Sequence, residues 1–338
     1  MLKKYNNCTF CNSKKLIKSN KQVYLENYYI KSIITDLNLS KNFLKKIKIY
    51  QCKNCFILQN NPWFSENFVR KIYSNIYGQH HRNWENLLNF VNKKQTPNHG
   101  NLFELLTKTI QIKNYAEFNS PFMGLMLNFF EKVYRKEKSF FKYFSDNVIN
   151  YLNSRQLAGK SRFEKNISKK KSKKYLDRIK KFKKKIKPVL KNKYLFVDNS
   201  PLFWGQNDNY KSVNSRSYAS ELLDLEVHAL SYLKDIKKKL DLFGIFHTLD
   251  HTFEPNKVLN YALNASNYVI VYCHIDQKLN KQHLFSFTRK FLDFLKRKRI
   301  YTIELTNLIN KKLNSPELYF LCSRKKEKIL KFKNNAYK

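Results

Sequence analysis

Three residues suited to acid–base chemistry, His247, Asp250 and His251, lie in one polar stretch between two apolar segments. Residues 241–246 precede them and residues 268–274 follow a helical segment, and both segments have the composition of buried strands. A histidine titrates near neutral pH, and an adjacent carboxylate can raise its basicity. The pattern therefore predicts a general base, with the alternative that Asp250 caps a helix and His251 lies in a turn.

Four cysteines form two C-x-x-C pairs, a spacing typical of metal sites. The tight turn of each pair aims two sulfurs at one tetrahedral centre, which suits Zn²⁺. Four thiolates close the coordination sphere, so we expect a structural zinc ion without a catalytic role. Cys273 and Cys322 lie inside apolar runs and are expected to be buried thiols rather than parts of a disulfide framework. The predicted zinc ligands are Cys8, Cys11, Cys52 and Cys55.

A strand-helix-strand unit would position the acid–base residues. Pro255 fits the first turn of a helix, where its missing N–H costs nothing, and an apolar strand lies on each side. Such units build a parallel sheet, and ligands of parallel sheets lie beyond the carboxyl ends of the strands. His247, Asp250 and His251 are expected at that edge. Further strands are predicted at 112–118, 194–197, 300–305 and 318–323, and helices at 100–112, 221–239 and 285–295.

The stretch 241–255, with its Asp250-His251 pair and Pro255, resembles the fourth-strand motif of class I S-adenosylmethionine-dependent methyltransferases. More narrowly, it is similar to the C-methyltransferases that carry an N-terminal zinc-binding domain and act on nucleotide-linked sugars. Residues 50–59, Tyr-Gln-Cys-Lys-Asn-Cys-Phe-Ile-Leu-Gln, are similar to the second knuckle of that zinc domain. The Gln282-His283 pair ahead of a helix adds to the likeness.

The resemblance implies a site for S-adenosylmethionine after the first strand, where the family has an acidic residue and a glycine-rich loop. Glu117 stands in the place of the acid, and Asn119, Ser120 and Gly124 belong to the loop. Asn tolerates left-handed backbone angles, whereas Pro121 removes a donor and fixes φ. The loop therefore departs from the family's pattern and keeps one glycine.

Two residues outside the loop complete the cofactor site that the resemblance implies. Asp198, at the tip of the second strand, would hold the ribose hydroxyls with its two acceptor oxygens; the alternative is a turn-forming role. His247 is expected to orient cofactor or substrate.

The resemblance also implies the reaction, in which a proton is removed from a carbon next to a carbonyl and that carbon is methylated. His251, assisted by Asp250, suits the proton removal. Tyr77, His81 and His283 are the expected substrate-binding residues, with a structural or solvent-exposed role as the alternative for His81.

The chain is strongly basic, with 66 Lys and Arg against 25 Asp and Glu and a formal charge of +41. This excess suits a nucleic acid or an anionic membrane surface, contacted through a lysine-rich insertion that contains a basic amphipathic helix. The alternative is biased composition, because the basic residues are spread along the chain and arginine is scarce.

The resemblance, together with these patterns, implies an α/β, class I methyltransferase-like (Rossmann-like) fold with a mostly parallel sheet whose last strand is antiparallel. The expected boundaries are a zinc-binding domain at 1–75, a helical connector at 76–111 and a methyltransferase-like domain at 112–338, with the helical insertion at 130–193. The chain has no apolar run long enough to span a membrane and no signal sequence, so a cytoplasmic location is expected.

The function implied by the resemblance is S-adenosylmethionine-dependent C-methylation of a nucleotide-linked sugar in surface-polysaccharide synthesis. Two alternatives stay open. One is a catalytically degenerate methyltransferase-like binding protein. The other is a zinc-ribbon RNA-binding protein or RNA methyltransferase that uses the basic insertion.

Overall fold

The computed structural model describes residues 2–20, 42, 45–65, 99–118, 124–125, 128–129, 194–198, 227–229, 237–246, 249–275, 285–309 and 317–337, with the backbone alone for 194–198, 227–229 and 251. The strands in these ranges are β1 (Leu2–Lys3), β2 (Leu16–Lys18), β3 (Lys48–Cys52), β4 (Leu58–Asn61), β5 (Trp63–Phe64), β6 (Tyr115–Phe118), β7 (Tyr194–Asp198), β8 (Val227–Ala229), β9 (Leu240–Phe246), β10 (Ser266–His274), β11 (Phe285–Ser286), β12 (Tyr301–Glu304) and β13 (Glu317–Ser323). The helices are α1 (His99–Thr109), α2 (Pro255–Ala265), α3 (Phe291–Arg297), α4 (Thr306–Ile309) and α5 (Lys326–Ala336), and a 3-10 turn spans Leu249–His251.

A seven-stranded sheet forms the larger part of the fold, in the order β12, β13, β10, β9, β6, β7, β8. The run from β10 through β9, β6 and β7 to β8 is parallel throughout. β13 is antiparallel to both of its neighbours, β10 and β12. This mixed sheet with helices is consistent with the expected methyltransferase-like α/β fold, including its antiparallel last strand.

The central strands β9 and β10 are apolar on both faces because helices cover the sheet. Val269 and Val271 of β10 are fully buried in one core cluster together with Val258 and Leu259 of α2. Burial of one such side chain contributes about 1.5–3 kcal/mol relative to exposure. Pro255 begins α2, as predicted, and fixes the backbone for the first helical turn.

A smaller sheet includes Cys52, which ends β3, and takes one strand from the far end of the chain. Its order is β11, β4, β3, β2, with every pair antiparallel. A separate two-stranded ribbon joins β1 to β5. The ring of Phe10 meets Phe285 and Phe291 edge-on, at 6.5 and 4.9 Å between centroids. The two sheets therefore share one apolar core.

Two predicted helices were wrong where the structure describes them. The helix expected at 285–295 is strand β11 at its start, and α3 begins only at Phe291. Phe285 and Phe287 alternate around Ser286, which is the period of a strand, and β4 offers an edge to pair with. The helix expected at 221–239 contains strand β8, which pairs with β7. Tertiary pairing overrides helical periodicity in both places.

None of the helices within the described ranges combines the length and the apolar character needed to cross a membrane. Helix α5 was not predicted from the sequence. It buries Ile329 and Phe332, three residues apart on one face.

We expect Gly244→Ala to destabilise the protein by about 1–3 kcal/mol through overpacking. A Cβ at this position of β9 would overlap the Tyr115 hydroxyl and lie within 2.7 Å of the Phe246 ring. The free energy of unfolding in urea measures the effect. Gly100→Ala, in the first turn of α1, is the matched control and should change stability by less than about 1 kcal/mol. Equal stability of Gly244→Ala and wild type would contradict the close approach.

Candidate functional site

The four cysteines predicted as metal ligands lie together. Their sulfur atoms are all within 4.8 Å of one another. The Sγ atoms of Cys8 and Cys55 are 3.5 Å apart, and those of Cys11 and Cys52 are 3.6 Å apart. Tetrahedral zinc with Zn–S bonds of about 2.3 Å needs sulfurs about 3.8 Å apart, so the donor set fits this ion.

The two knuckles have the same backbone geometry although their sequences differ. In the first, Asn12 N donates to Cys8 O at 2.9 Å; in the second, Phe56 N donates to Cys52 O at 2.9 Å. Asn12 and Phe56 both adopt left-handed angles, with φ of 58° and 64°. Such angles are uncommon for a bulky residue such as Phe and persist where the surrounding structure requires them. Each turn is thus shaped to present its pair of sulfurs.

The chemistry of the thiols supports a cation at this point. Contact with the Cys11 sulfur raises the pKa of Cys8 and Cys55 and lowers that of Cys52, so four thiolates this close together disfavour one another. A bound divalent cation removes this conflict because it stabilises every thiolate at once. Zinc held by the four sulfurs would have no open position for catalysis.

The second knuckle is fastened to α3 through its backbone carbonyls. Arg297 Nη2 donates to Asn54 O at 2.7 Å, and its guanidinium lies 5.5 Å from the centre of the Phe56 ring. Thr288 Oγ1 donates to Phe56 O at 2.9 Å. The metal centre is therefore tied to the helix that leads into β12.

At the carboxyl edge of the seven-stranded sheet, Glu117 holds the loop that follows β6. Its Oε1 accepts the N–H of Gly124 at 2.6 Å, and its Oε2 accepts the N–H of Leu125 at 2.8 Å. The hydroxyl of Tyr115 donates to the same Oε2 at 2.6 Å. These contacts make Glu117 a positioning residue for the loop.

Gly124 must be a glycine because the loop comes close to the strands. A Cβ there would overlap the Phe246 ring and lie 2.7 Å from Glu117 Oε2. Asp198 ends the neighbouring parallel strand, one residue beyond Val197, which lies opposite Phe118. The backbone thus places Asp198 next to the start of the loop.

Asp250 does not cap α2. That helix begins at Pro255, its N-cap residue is Glu254, and no side chain caps it. The carboxylate of Asp250 is fully buried, and its Oδ2 lies 3.3 Å from Nδ1 of His274, whose side chain is 29% exposed. The acid–histidine pair that the described side chains form is therefore Asp250 with His274.

His274 was missed as a site residue in the sequence, although a signal was available. It is the last residue of β10, a polar group that ends an apolar run, as Asp198 ends β7. That reasoning had selected Asp198 and could have selected His274.

The other predicted site residues have no described side chain. The structure gives the backbone of His251, in the 3-10 turn beside Asp250, and of Asp198. The remaining predicted residues lie outside the described ranges: Tyr77, His81, Asn119, Ser120, His247 and His283.

A buried histidine that was not predicted, His99, begins α1 beneath this edge. Its ring meets Phe246 and Tyr272 edge-on at centroid distances of 5.0 and 5.8 Å. Burial lowers the pKa of His99 to about 3, so its imidazole is neutral in the folded protein at neutral pH.

The folded protein should lose stability as pH falls from about 6.5 towards 3 because of His99. Between these values the unfolded chain binds a proton that folded His99 cannot, which favours unfolding by at most about 5 kcal/mol. Urea unfolding across this pH range measures the slope. His99→Phe should reduce the slope by up to about 1.4 kcal/mol per pH unit. The same slope in variant and wild type would contradict a buried neutral imidazole.

The purified protein should contain one equivalent of zinc by elemental analysis. Cys52→Ala should abolish tight binding because three thiolates and water hold zinc less firmly than four thiolates. Cys322→Ala removes a buried thiol in β13 and is the matched control, which should keep its zinc. Full zinc content in Cys52→Ala would contradict the four-cysteine centre.

No protein-family model matches the chain, and no curated protein matches it. Solved structures similar to it include the plantazolicin methyltransferase BpumL in complex with SAH, at 10% identity and a TM-score of 0.35, covering 77% of this chain and 95% of that one. Another is the plantazolicin methyltransferase BamL in complex with a triazolic desmethylPZN analog and SAH, at 10% identity and a TM-score of 0.30, covering 77% of this chain and 99% of that one.

Proposed function

We propose that this protein is an S-adenosylmethionine-dependent methyltransferase with its site at the carboxyl edge of the seven-stranded sheet. One observation carries the proposal: the Glu117 carboxylate accepts the backbone N–H groups of Gly124 and Leu125, which lie just beyond the loop after β6. The sequence resemblance puts the cofactor at this loop. Ligands of parallel sheets bind at the same edge.

Some residues of this chain would position the cofactor loop, and others would contact the cofactor directly. Glu117 positions the loop backbone, and Gly124 lets that loop lie against Phe246. Asp198 would accept hydrogen bonds from the ribose hydroxyls, since it ends the strand next to the loop. Asn119, Ser120 and His247 remain proposed contacts. When bound, the cofactor supplies an electrophilic methyl group on a sulfonium.

We propose a carbon atom of a nucleotide-linked sugar as the methyl acceptor, in surface-polysaccharide synthesis, on the strength of the sequence resemblance. A histidine nitrogen would take the proton from the carbon next to a carbonyl, and the electron pair of the broken C–H bond would form the new bond to the methyl carbon. The bond between that methyl carbon and sulfur would break at the same time, and its electron pair would leave on the sulfur of S-adenosylhomocysteine. Tyr77, His81 and His283 are the proposed sugar contacts.

Asp250 is central to the proposed proton transfer. A buried carboxylate beside an imidazole favours the protonated ring, which raises the histidine's basicity. Its described partner is His274, at 3.3 Å, and His251 follows it directly in the chain. We therefore add His274 to His251 as a proposed acid–base residue.

Calorimetric titration of the full chain with S-adenosylmethionine tests the cofactor. We expect saturable binding that Asp198→Asn weakens about 10- to 100-fold, because hydrogen bonds to a charged group contribute about 1.5–3 kcal/mol. Asp293→Asn, at an exposed acid of α3, is the matched control and should bind like wild type. No binding at millimolar cofactor would overturn the proposal.

The acceptor is tested separately with cofactor that carries a ¹³C-methyl group. We expect a nucleotide-linked keto sugar to gain a labelled methyl carbon bonded to carbon, detected by NMR. His274→Gln and His251→Gln should slow this transfer while leaving cofactor binding unchanged. Binding of cofactor without methylation of any sugar in a panel would reject the acceptor and leave the cofactor site standing.

A further inference from the structure

The amino edge of the seven-stranded sheet, opposite the proposed active site, carries a cluster of positive charge. We call Lys239, Arg324, Lys325 and Lys328 the amino-edge cluster. Lys239, Arg324 and Lys325 are exposed and Lys328 is half-buried. The cluster lies between the start of β9 and the start of α5.

The strand order brings the four cations together. β9 begins directly after Lys239, and β13 ends directly before Arg324. β10 lies between them, parallel to β9 and antiparallel to β13, so both points lie at the same edge, about 10 Å apart. The hydroxyl of Tyr268 donates to Lys328 O at 3.2 Å, which holds the start of α5 over this edge.

Neutral groups, not carboxylates, hold the guanidinium of the cluster in place. Arg324 Nε donates to Asn264 Oδ1 at 2.9 Å, and Arg324 Nη2 donates to Asn260 Oδ1 at 2.8 Å. Both asparagines lie on α2. The arginine is thereby oriented by neutral groups, and no described carboxylate pairs with it.

Two acidic residues, Asp241 and Glu327, lie near the cluster. Within the described ranges none of its four residues forms an ion pair. Asp241 Oδ2 instead accepts the backbone N–H groups of Lys113 and Asn114 at 2.8 and 3.0 Å. Glu327 is exposed beside the cluster. Burial of part of its side chain lowers the pKa of Lys239, and the neighbouring charges of Lys325, Arg324 and Lys328 lower it further.

We propose that the amino-edge cluster binds the phosphate backbone of a nucleic acid. Three of its four cations are lysines, which act on phosphate as point charges and do not favour one base. Exposed Lys237, Lys238 and Lys326 extend the charge along the edge. A row of cations suits the closely spaced phosphates of a nucleic acid, and its affinity would come from the release of condensed counter-ions.

The apolar surface beside the cluster is too small to favour a membrane. A helix that lies in a membrane interface buries an apolar face. On α5 the exposed large apolar side chain is Leu330, at 49%, whereas Ile329 and Phe332 are buried against the protein. Charge without an insertable face favours the nucleic acid. Because the loop at Gly124 lies at the opposite edge, the proposal is independent of methyl transfer.

Fluorescence anisotropy with the full chain and a labelled, mixed-sequence duplex tests the cluster. The test variant changes its four residues to glutamine: Lys239→Gln, Arg324→Gln, Lys325→Gln and Lys328→Gln. The matched control removes four exposed charges from the smaller sheet and its knuckles: Lys14→Gln, Lys15→Gln, Lys18→Gln and Lys53→Gln. Both variants have the same net charge and keep the lysine-rich insertion. Thermal unfolding checks that each is folded.

We expect the test variant to bind at least tenfold more weakly than wild type at 100 mM salt. Its plot of log Kobs against log salt should be shallower by about 3 to 4, the slope for four phosphate contacts. The control should lose less than threefold. RNA and DNA duplexes should give the same ranking, because the contacts are to the backbone.

Two results would overturn the proposal. One is an equal loss in the test and control variants, which would assign binding to net charge alone. The other is that wild type shows no saturable binding to either duplex. If, in addition, anionic phospholipid vesicles bind wild type and bind the test variant more weakly, the cluster would be a membrane contact instead.

Discussion

A carboxylate removed from water must find hydrogen-bond donors, and the carboxylate of Glu117 finds them in the backbone of Gly124 and Leu125. The N–H groups of Gly124 and Leu125 and the hydroxyl of Tyr115 converge on its two oxygens. Gly124 and Leu125 are thus hydrogen-bonded to strand β6. The Glu117 carboxylate also affects Tyr115. Burial of the Tyr115 hydroxyl raises its pKa well above the ordinary value, and the nearby charge of Glu117 raises it further.

The second constraint is the junction between the metal centre and the large sheet. Phe10 lies between the two cysteines of the first knuckle and reaches into a group of phenylalanines around α3, while Arg297 holds the second knuckle from the same helix. The four-cysteine cluster is therefore part of the core. Loss of a metal ion from this cluster would destabilise the packing of α3 and, through α3, of β12.

Local patterns predicted the parts of the fold that depend on neighbouring residues. The strands β6, β9, β10 and β13 and the proline-led helix α2 follow from apolar runs and from the backbone chemistry of Pro255. The cysteine centre follows from spacing alone, because two C-x-x-C turns need only meet. These features could be predicted from local sequence patterns alone.

Features that need distant partners were missed or misassigned. β11 is a strand because β4 is available beside it, which no window around Phe285 reveals. The partner of Asp250 is 24 residues away, at the end of a strand that the sequence located but whose register it did not fix. The contacts of Glu117 with the backbone of its own loop were equally hidden, since the family resemblance suggested an acid there but not what its oxygens would bind.

The strand β11 also sets an order of events for a chain made from its N-terminus. The second knuckle leaves the ribosome long before Thr288, its hydrogen-bond partner 232 residues later. At about 5–20 residues per second, this gap lasts roughly 10–50 s, during which the early sheet has an unpaired edge and Phe10 has no aromatic neighbours from α3. During this interval the nascent N-terminal segment exposes that strand edge and the Phe10 ring, and zinc that binds early would protect its cysteines from oxidation.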